Sequence, residues 1–157
     1  MSFPVLFLSF LIGCVAGLRS MMAPAIVCAA AYLQWVHLAG TPLAFMANRV
    51  TLWIFTFLAI CELIADKLPQ TPSRTAPVGL ILRAVTGGLS GACLAASGGK
   101  SLAAGVLLGA AGGVGGAFAG FEIRRGLVQQ MKLPDFVVAV VEDLLTISGG
   151  LFVVSRM

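Results

Sequence analysis

The sequence predicts an all-α integral membrane protein with five transmembrane helices, one re-entrant or interfacial helix, and an inverted-topology repeat. Three observations carry this prediction. Hydrophobic residues make up 59% of the 157 and charged residues only 10%, with a mean hydropathy of +1.04, too few charges to cover a soluble domain of this size. Glycine reaches 19 residues, many at four-residue spacing, the pattern that lets helices approach closely in lipid. Finally, Gly13-Cys14-Val15-Ala16-Gly17-Leu18-Arg19 is echoed by Gly116-Ala117-Phe118-Ala119-Gly120-Phe121-Glu122, and each copy is followed by an apolar stretch holding one acid, Glu62 or Glu142. A duplicated helix pair separated by one extra helix comes out inverted relative to its copy, an arrangement typical of small-solute transporters.

Apolar runs and their punctuation define the elements in order. Residues 3–18 are apolar and end at Arg19-Ser20. Leu11-Ile12-Gly13-Cys14 has the look of a lipoprotein cleavage site, but no Lys or Arg precedes it, and cleavage is not expected. Residues 24–39, opened by Pro24 and holding Gln34 and His37, would span only about 24 Å as a helix, short of a bilayer core. Residues 50–65 run into Glu62, Asp66 and Lys67, after which Pro69, Pro72 and Pro77 forbid a helix and predict an extended connector outside the membrane. Residues 78–97 and 102–121 make a hairpin through Ser97-Gly98-Gly99-Lys100, and a basic amphipathic stretch, 124–132, leads into the last span, 135–154.

Six crossings would leave the two Gly-Ala-Gly helices parallel while inverting the two Glu helices, whereas five make both pairs antiparallel. Hence the expectation of one membrane domain over 1–157, with repeat 1 at about 3–67, a connecting helix at 78–97 and repeat 2 at about 102–154. Lys67, Arg74 and Arg83 on one side of the hairpin, and Arg124, Arg125 and Lys132 on the other, place loops 67–77 and 122–134 in the cytoplasm. The N-terminus is then cytoplasmic and Arg156 outside. The net charge of +4 is read as topology and contact with lipid head groups, with no nucleic-acid partner.

Gly105, Gly109 and Gly113 form one row of small residues, Gly112, Gly116 and Gly120 a second, and Gly87, Gly91 and Ala95 a third on the preceding helix. They serve packing within the chain or a homodimer face; the spacing alone leaves both open. Cys14, Cys28, Cys61 and Cys93 lie in apolar runs without CxxC spacing and read as packing residues, so neither metal nor cofactor is expected.

Whatever chemistry exists rests with the few charges, because a carboxylate near the bilayer centre costs at least about 2.5 kcal/mol and is normally paired, protonated or facing a cavity. Glu62, Asp66, Lys67 and Arg83 read as an interfacial ion-pair cluster on one view. On the other, Glu62 and Glu142 line a shared midplane cavity for a cation, a proton or an amine. Arg19-Ser20 interrupts two apolar runs before Pro24, so it either presents a half-helix N-terminus to an anion or lets Arg19 snorkel to a head group. His37, beside Tyr32 and Trp35, reads as part of an interfacial aromatic belt.

Gly17-Leu18-Arg19-Ser20 with Pro24, Glu62-Leu63-Ile64-Ala65-Asp66-Lys67-Leu68-Pro69 with Thr71-Pro72-Ser73-Arg74, Arg83 ahead of Gly87-Gly88, and Val141-Glu142-Asp143 together resemble a family of small bacterial inner-membrane proteins known as a domain of unknown function, of the 4126 series. The resemblance spans essentially the whole chain. It implies a complete member without a fused enzyme, and brings no activity or residue role with it. No phosphate-binding loop, HExxH or GxSxG motif is present, so an enzyme is not expected. Two functions remain: a transporter or channel for a small solute or ion, with Arg19, Ser20, Glu62, Asp66, Arg83 and Glu142 around its site, or a non-transporting membrane scaffold held by glycine-rich packing.

Overall fold

The computed structural model describes residues 4–65, 76–132 and 134–157, and all regular structure among them is helical. Six helices follow in order: α1 Val5–Leu18, α2 Met22–Tyr32, α3 Arg49–Ala65, α4 Pro77–Ser97, α5 Leu102–Arg125 and α6 Asp135–Val154. A short 3₁₀ turn, Ala44–Ala47, precedes α3, and a π-helical turn, Gly126–Gln130, extends α5. Three helices, α4, α5 with its π turn, and α6, are long and apolar enough to cross a membrane, while α1 and α2 are shorter apolar helices.

The core is a triplet in which α5 packs between α1 and α4, and small residues set how closely the backbones approach. A Cβ added at Gly109 would overlap the Gly87 carbonyl, and one at Gly113 the Arg83 carbonyl, so this row faces α4. A Cβ at Gly112 would overlap the Phe10 carbonyl and one at Gly116 would meet Cys14, so the second row faces α1. Both rows therefore pack against neighbouring helices of the same chain. Where nothing approaches, as at Gly115, a side chain would meet open space.

Helix directions follow from who meets whom. Ser9 Oγ donates to the Gly91 carbonyl at 3.0 Å, Gly17 meets α5 at Gly113 and Gly116, and Gly98 abuts Val5, so α1 is antiparallel to α4 and parallel to α5. The His37 amide donates to Ser97 Oγ at 2.9 Å, which brings the chain after α2 back to the end where α1 begins. Ser20 lies beside Glu62 and Cys28 beside Met46, so α3 runs antiparallel to α2 and parallel to α1. In α6, Asp143 meets Arg19 and Gly150 meets Val15 and Ile26, so it descends against α1.

These directions correct two expectations. With α2 returning fully, α1 and α3 point the same way, and the start of α1 at Val5 lies at the end opposite Arg125 and Asp135 rather than with them. The two Gly-Ala-Gly helices, α1 and α5, are parallel while α3 and α6 are opposed, so Glu62 and Glu142 are not mates of an inverted repeat. The physical reason is that the short segment 24–39 forms a true helix over Met22–Tyr32 and packs as a third layer, with nine of its residues buried. Gln34 then adopts a left-handed conformation (φ 64°) and Trp35 N–H closes on the Ala30 carbonyl at 2.8 Å, which ends α2 well before residue 39.

α1 and α2 are also too short to traverse the bundle: 14 and 11 residues rise about 21 and 16 Å, against about 36 Å for the 24 residues of α5. They form a hairpin whose tip, Arg19–Met21, stops inside the bundle. Arg83 lies six residues into α4 and Asp143 eight into α6, which places the tip about 9–12 Å below that end of the bundle.

Candidate functional site

The site is built around this tip. Pro24 lacks an amide hydrogen and would collide with the carbonyl of Ser20 in a continuous helix, so α1 and α2 cannot merge. Arg19 is instead extended (φ −138°, ψ 108°), its N–H making the last helical bond to Val15. The break leaves a helix C-terminus and a helix N-terminus side by side within an apolar core, each with backbone groups lacking helical partners.

Two side chains of fitting charge close those ends. The guanidinium of Arg83, from α4, donates from Nε to the Gly17 carbonyl at 3.0 Å and from Nη1 to the Gly79 carbonyl at 3.1 Å, a cation at the negative end of α1. The Glu62 carboxylate, from α3, accepts from the Ser20 amide at 2.8 Å and its hydroxyl at 2.6 Å through Oε1, and from the Met21 amide at 2.8 Å through Oε2. It is an anion at the positive end of α2.

Arg19 itself is fully buried and reaches across to α6, where Nη2 contacts Asp143 Oδ1. The preceding residue of α6, Glu142, turns to α5 and lies 3.7 Å from Arg124 Nη1. Arg124 in turn holds Asp135 in a bidentate pair at 2.9 and 2.7 Å. A line of charges thus runs from the closed tip, Arg19–Asp143, through Glu142 and Arg124 to Asp135, whose side chain is 59% exposed. Thr146, also fully buried, donates to the Glu142 carbonyl at 2.6 Å and steadies that turn of α6.

Of the residues expected at the site, Arg19, Ser20, Glu62 and Arg83 come together at the tip. Glu142 stands one residue from it on α6 and pairs toward α5, so Glu62 and Glu142 hold different partners. Asp66 falls outside the described residues. Asp143, Arg124 and Asp135 were missed as site members. Asp143 had a signal, a second acid beside Glu142 in an apolar helix; Arg124 and Asp135 read as ordinary interfacial charges, and nothing local links them to Glu142. Among the described residues no group of three or more His, Cys, Asp or Glu side chains is placed to hold a metal ion.

Taken together, apolar helices of spanning length around a buried charged cluster are the architecture of a helical membrane protein. Within that class the chain belongs to the family described as Domain of unknown function (DUF4126), whose family model matches residues 6–155. No curated protein and no solved structure matches it.

Proposed function

We propose that the protein is a small transporter or channel of the bacterial cytoplasmic membrane that moves a proton or small cation along the charged line from the α1–α2 tip to Asp135. In this reading α4–α6 cross the bilayer together with α3, whose 17 residues are at the lower limit for a crossing, and α1–α2, shorter still, form a re-entrant hairpin. Loops 67–77 and 122–134 face the cytoplasm by their basic residues, and both chain ends lie outside.

The observation that carries the reading is the Arg19–Asp143 contact at the end of the hairpin. A buried pair can be replaced by well-packed apolar residues at little or no cost in stability, so holding a helix break closed does not by itself call for ions. Broken helices near the middle of the bilayer are where small-ion carriers place their sites. Among the described residues the line also carries three carboxylates, Asp143, Glu142 and Asp135, groups able to take up a proton or a small cation.

The alternative, a non-transporting scaffold, is favoured by one specific observation. The Glu62 carboxylate accepts three hydrogen bonds from the tip, which is what a structural pin requires. The apolar outer face of α3, Val50, Trp53, Ile54, Phe57 and Leu58, is then where lipid or a second copy would lie. Neither reading involves an enzyme activity or a cofactor.

The test is ion and solute flux in proteoliposomes, wild type against Glu142→Gln. The transport reading expects wild-type flux of protons or a small cation that falls with the substitution. Equal flux from both proteins, or none above empty liposomes for protons and small cations, sinks it.

A further inference from the structure

Between the C-terminal end of α5 and the start of α6 lies a cavity of about 390 Å³, walled by Phe121, Arg124, Arg125, Val128, Gln129 and Asp135. Its chemistry is mixed rather than simply basic. Arg124 is engaged by Asp135 at 2.7 and 2.9 Å and has Glu142 at 3.7 Å. Arg125, one residue on and exposed, donates among the described residues to the neutral Gln129 amide oxygen, at 3.3 Å. Asp135 lines the cavity and its side chain is 59% exposed, so a ligand's cationic group can reach its carboxylate. Phe121 and Val128 supply apolar wall between the charged groups.

The position is as informative as the composition. α6 begins here with exposed Phe136 and Val137 directly after Asp135, so the cavity sits where an apolar span gives way to charge, the level of lipid head groups. Purely basic pockets between helices take anionic phospholipid head groups; this one carries an acid as well. An anionic head group would set its net charge against Asp135 and Glu142. A zwitterion instead finds a complement for each of its charges.

We propose that this cavity binds a zwitterionic aminophospholipid: the phosphate on Arg125 and the Gln129 amide, the primary ammonium on Asp135, and the glycerol end of the acyl chains against Phe121 and Val128. The assignment needs only that the protein sits in a membrane, and it stands or falls apart from any transport activity.

The experiment is native mass spectrometry of the full chain after equilibration with equal amounts of phosphatidylethanolamine and phosphatidylglycerol. Wild type should retain phosphatidylethanolamine preferentially. Arg125→Gln should weaken that retention roughly tenfold, the loss of one charge-assisted hydrogen bond, while Arg125→Lys keeps most of it and Arg156→Gln, at the other end of the molecule, changes nothing. Asp135→Asn should shift the preference to phosphatidylglycerol. Circular dichroism melting curves matching wild type confirm that the Arg125 variants are folded. Equal or better retention of phosphatidylglycerol by wild type, an unchanged adduct in Arg125→Gln, or displacement of the lipid by millimolar inorganic phosphate overturns the proposal.

Discussion

Arg19 leaves α1 in extended backbone and places a fully buried guanidinium against Asp143, more than a hundred positions away. Removing one member of a buried ion pair leaves the other's charge less compensated, so Arg19→Gln or Asp143→Asn should each lower stability by about 3–5 kcal/mol. The double variant should lose much less than the sum, a non-additivity read from melting temperatures in detergent through a double-mutant cycle; strict additivity would mean that the two side chains do not act on each other. Glu62 offers a second test. Gln in its place has one acceptor oxygen for three donors and turns an NH₂ group toward a backbone amide or hydroxyl, so Glu62→Gln should cost about 1–3 kcal/mol. A variant as stable as wild type would show that the carboxylate does not hold the tip. These charges were legible as important because ionisable residues are rare in so apolar a chain. Their partners were not, since contacts such as Ser20 with Glu62 join positions 42 apart and no local pattern encodes them.

At the level of elements, the glycine rows state a clear rule about α5. A methyl at Gly109 would strike the Gly87 carbonyl on α4, backbone against backbone, whereas at Gly115 it would meet open space. Gly109→Ala should therefore destabilise by about 1–3 kcal/mol or more through overpacking, and Gly115→Ala should be neutral or slightly stabilising by up to about 1 kcal/mol. Similar melting temperatures for the two would refute the close approach. The rows were readable from spacing, because four-residue periodicity maps directly onto a helix face. The extent of α2 was not readable. Residues 24–39 remain apolar to the end, and what stops the helix at Tyr32 is a left-handed Gln34 with a Trp35–Ala30 closure, a conformation that composition does not announce. That one element reversed the relative direction of α1 and α3, and with it the expected repeat. The echo between Gly13–Arg19 and Gly116–Glu122 survives only as packing: the two stretches lie in parallel helices, and Gly17 meets Gly116 and Ala117 directly.

For the whole molecule, the start of α1 and the end of α6 share one end of the bundle, away from Arg125 and Asp135. Single cysteines introduced at Ser155 and Lys132 in a background lacking Cys61 should therefore be labelled by an impermeant maleimide from opposite faces of a sealed vesicle, with an N-terminal tag accessible from the Ser155 side. Labelling of both from the same face would contradict the helix directions. The class of protein was evident from composition, since 10% charge cannot solvate a soluble surface. Its function follows from whether the Arg19–Asp143 pair conducts or merely fastens. The most direct measurement pairs proton flux in proteoliposomes with thermal stability for the double substitution Arg19→Met with Asp143→Leu, which fills the tip with apolar side chains of comparable reach. The transport reading predicts a melting temperature close to wild type and a flux at least about tenfold lower, equivalent to roughly 1.4 kcal/mol in the limiting step. Undiminished flux at undiminished stability would contradict it and leave the charged core as a fastening alone.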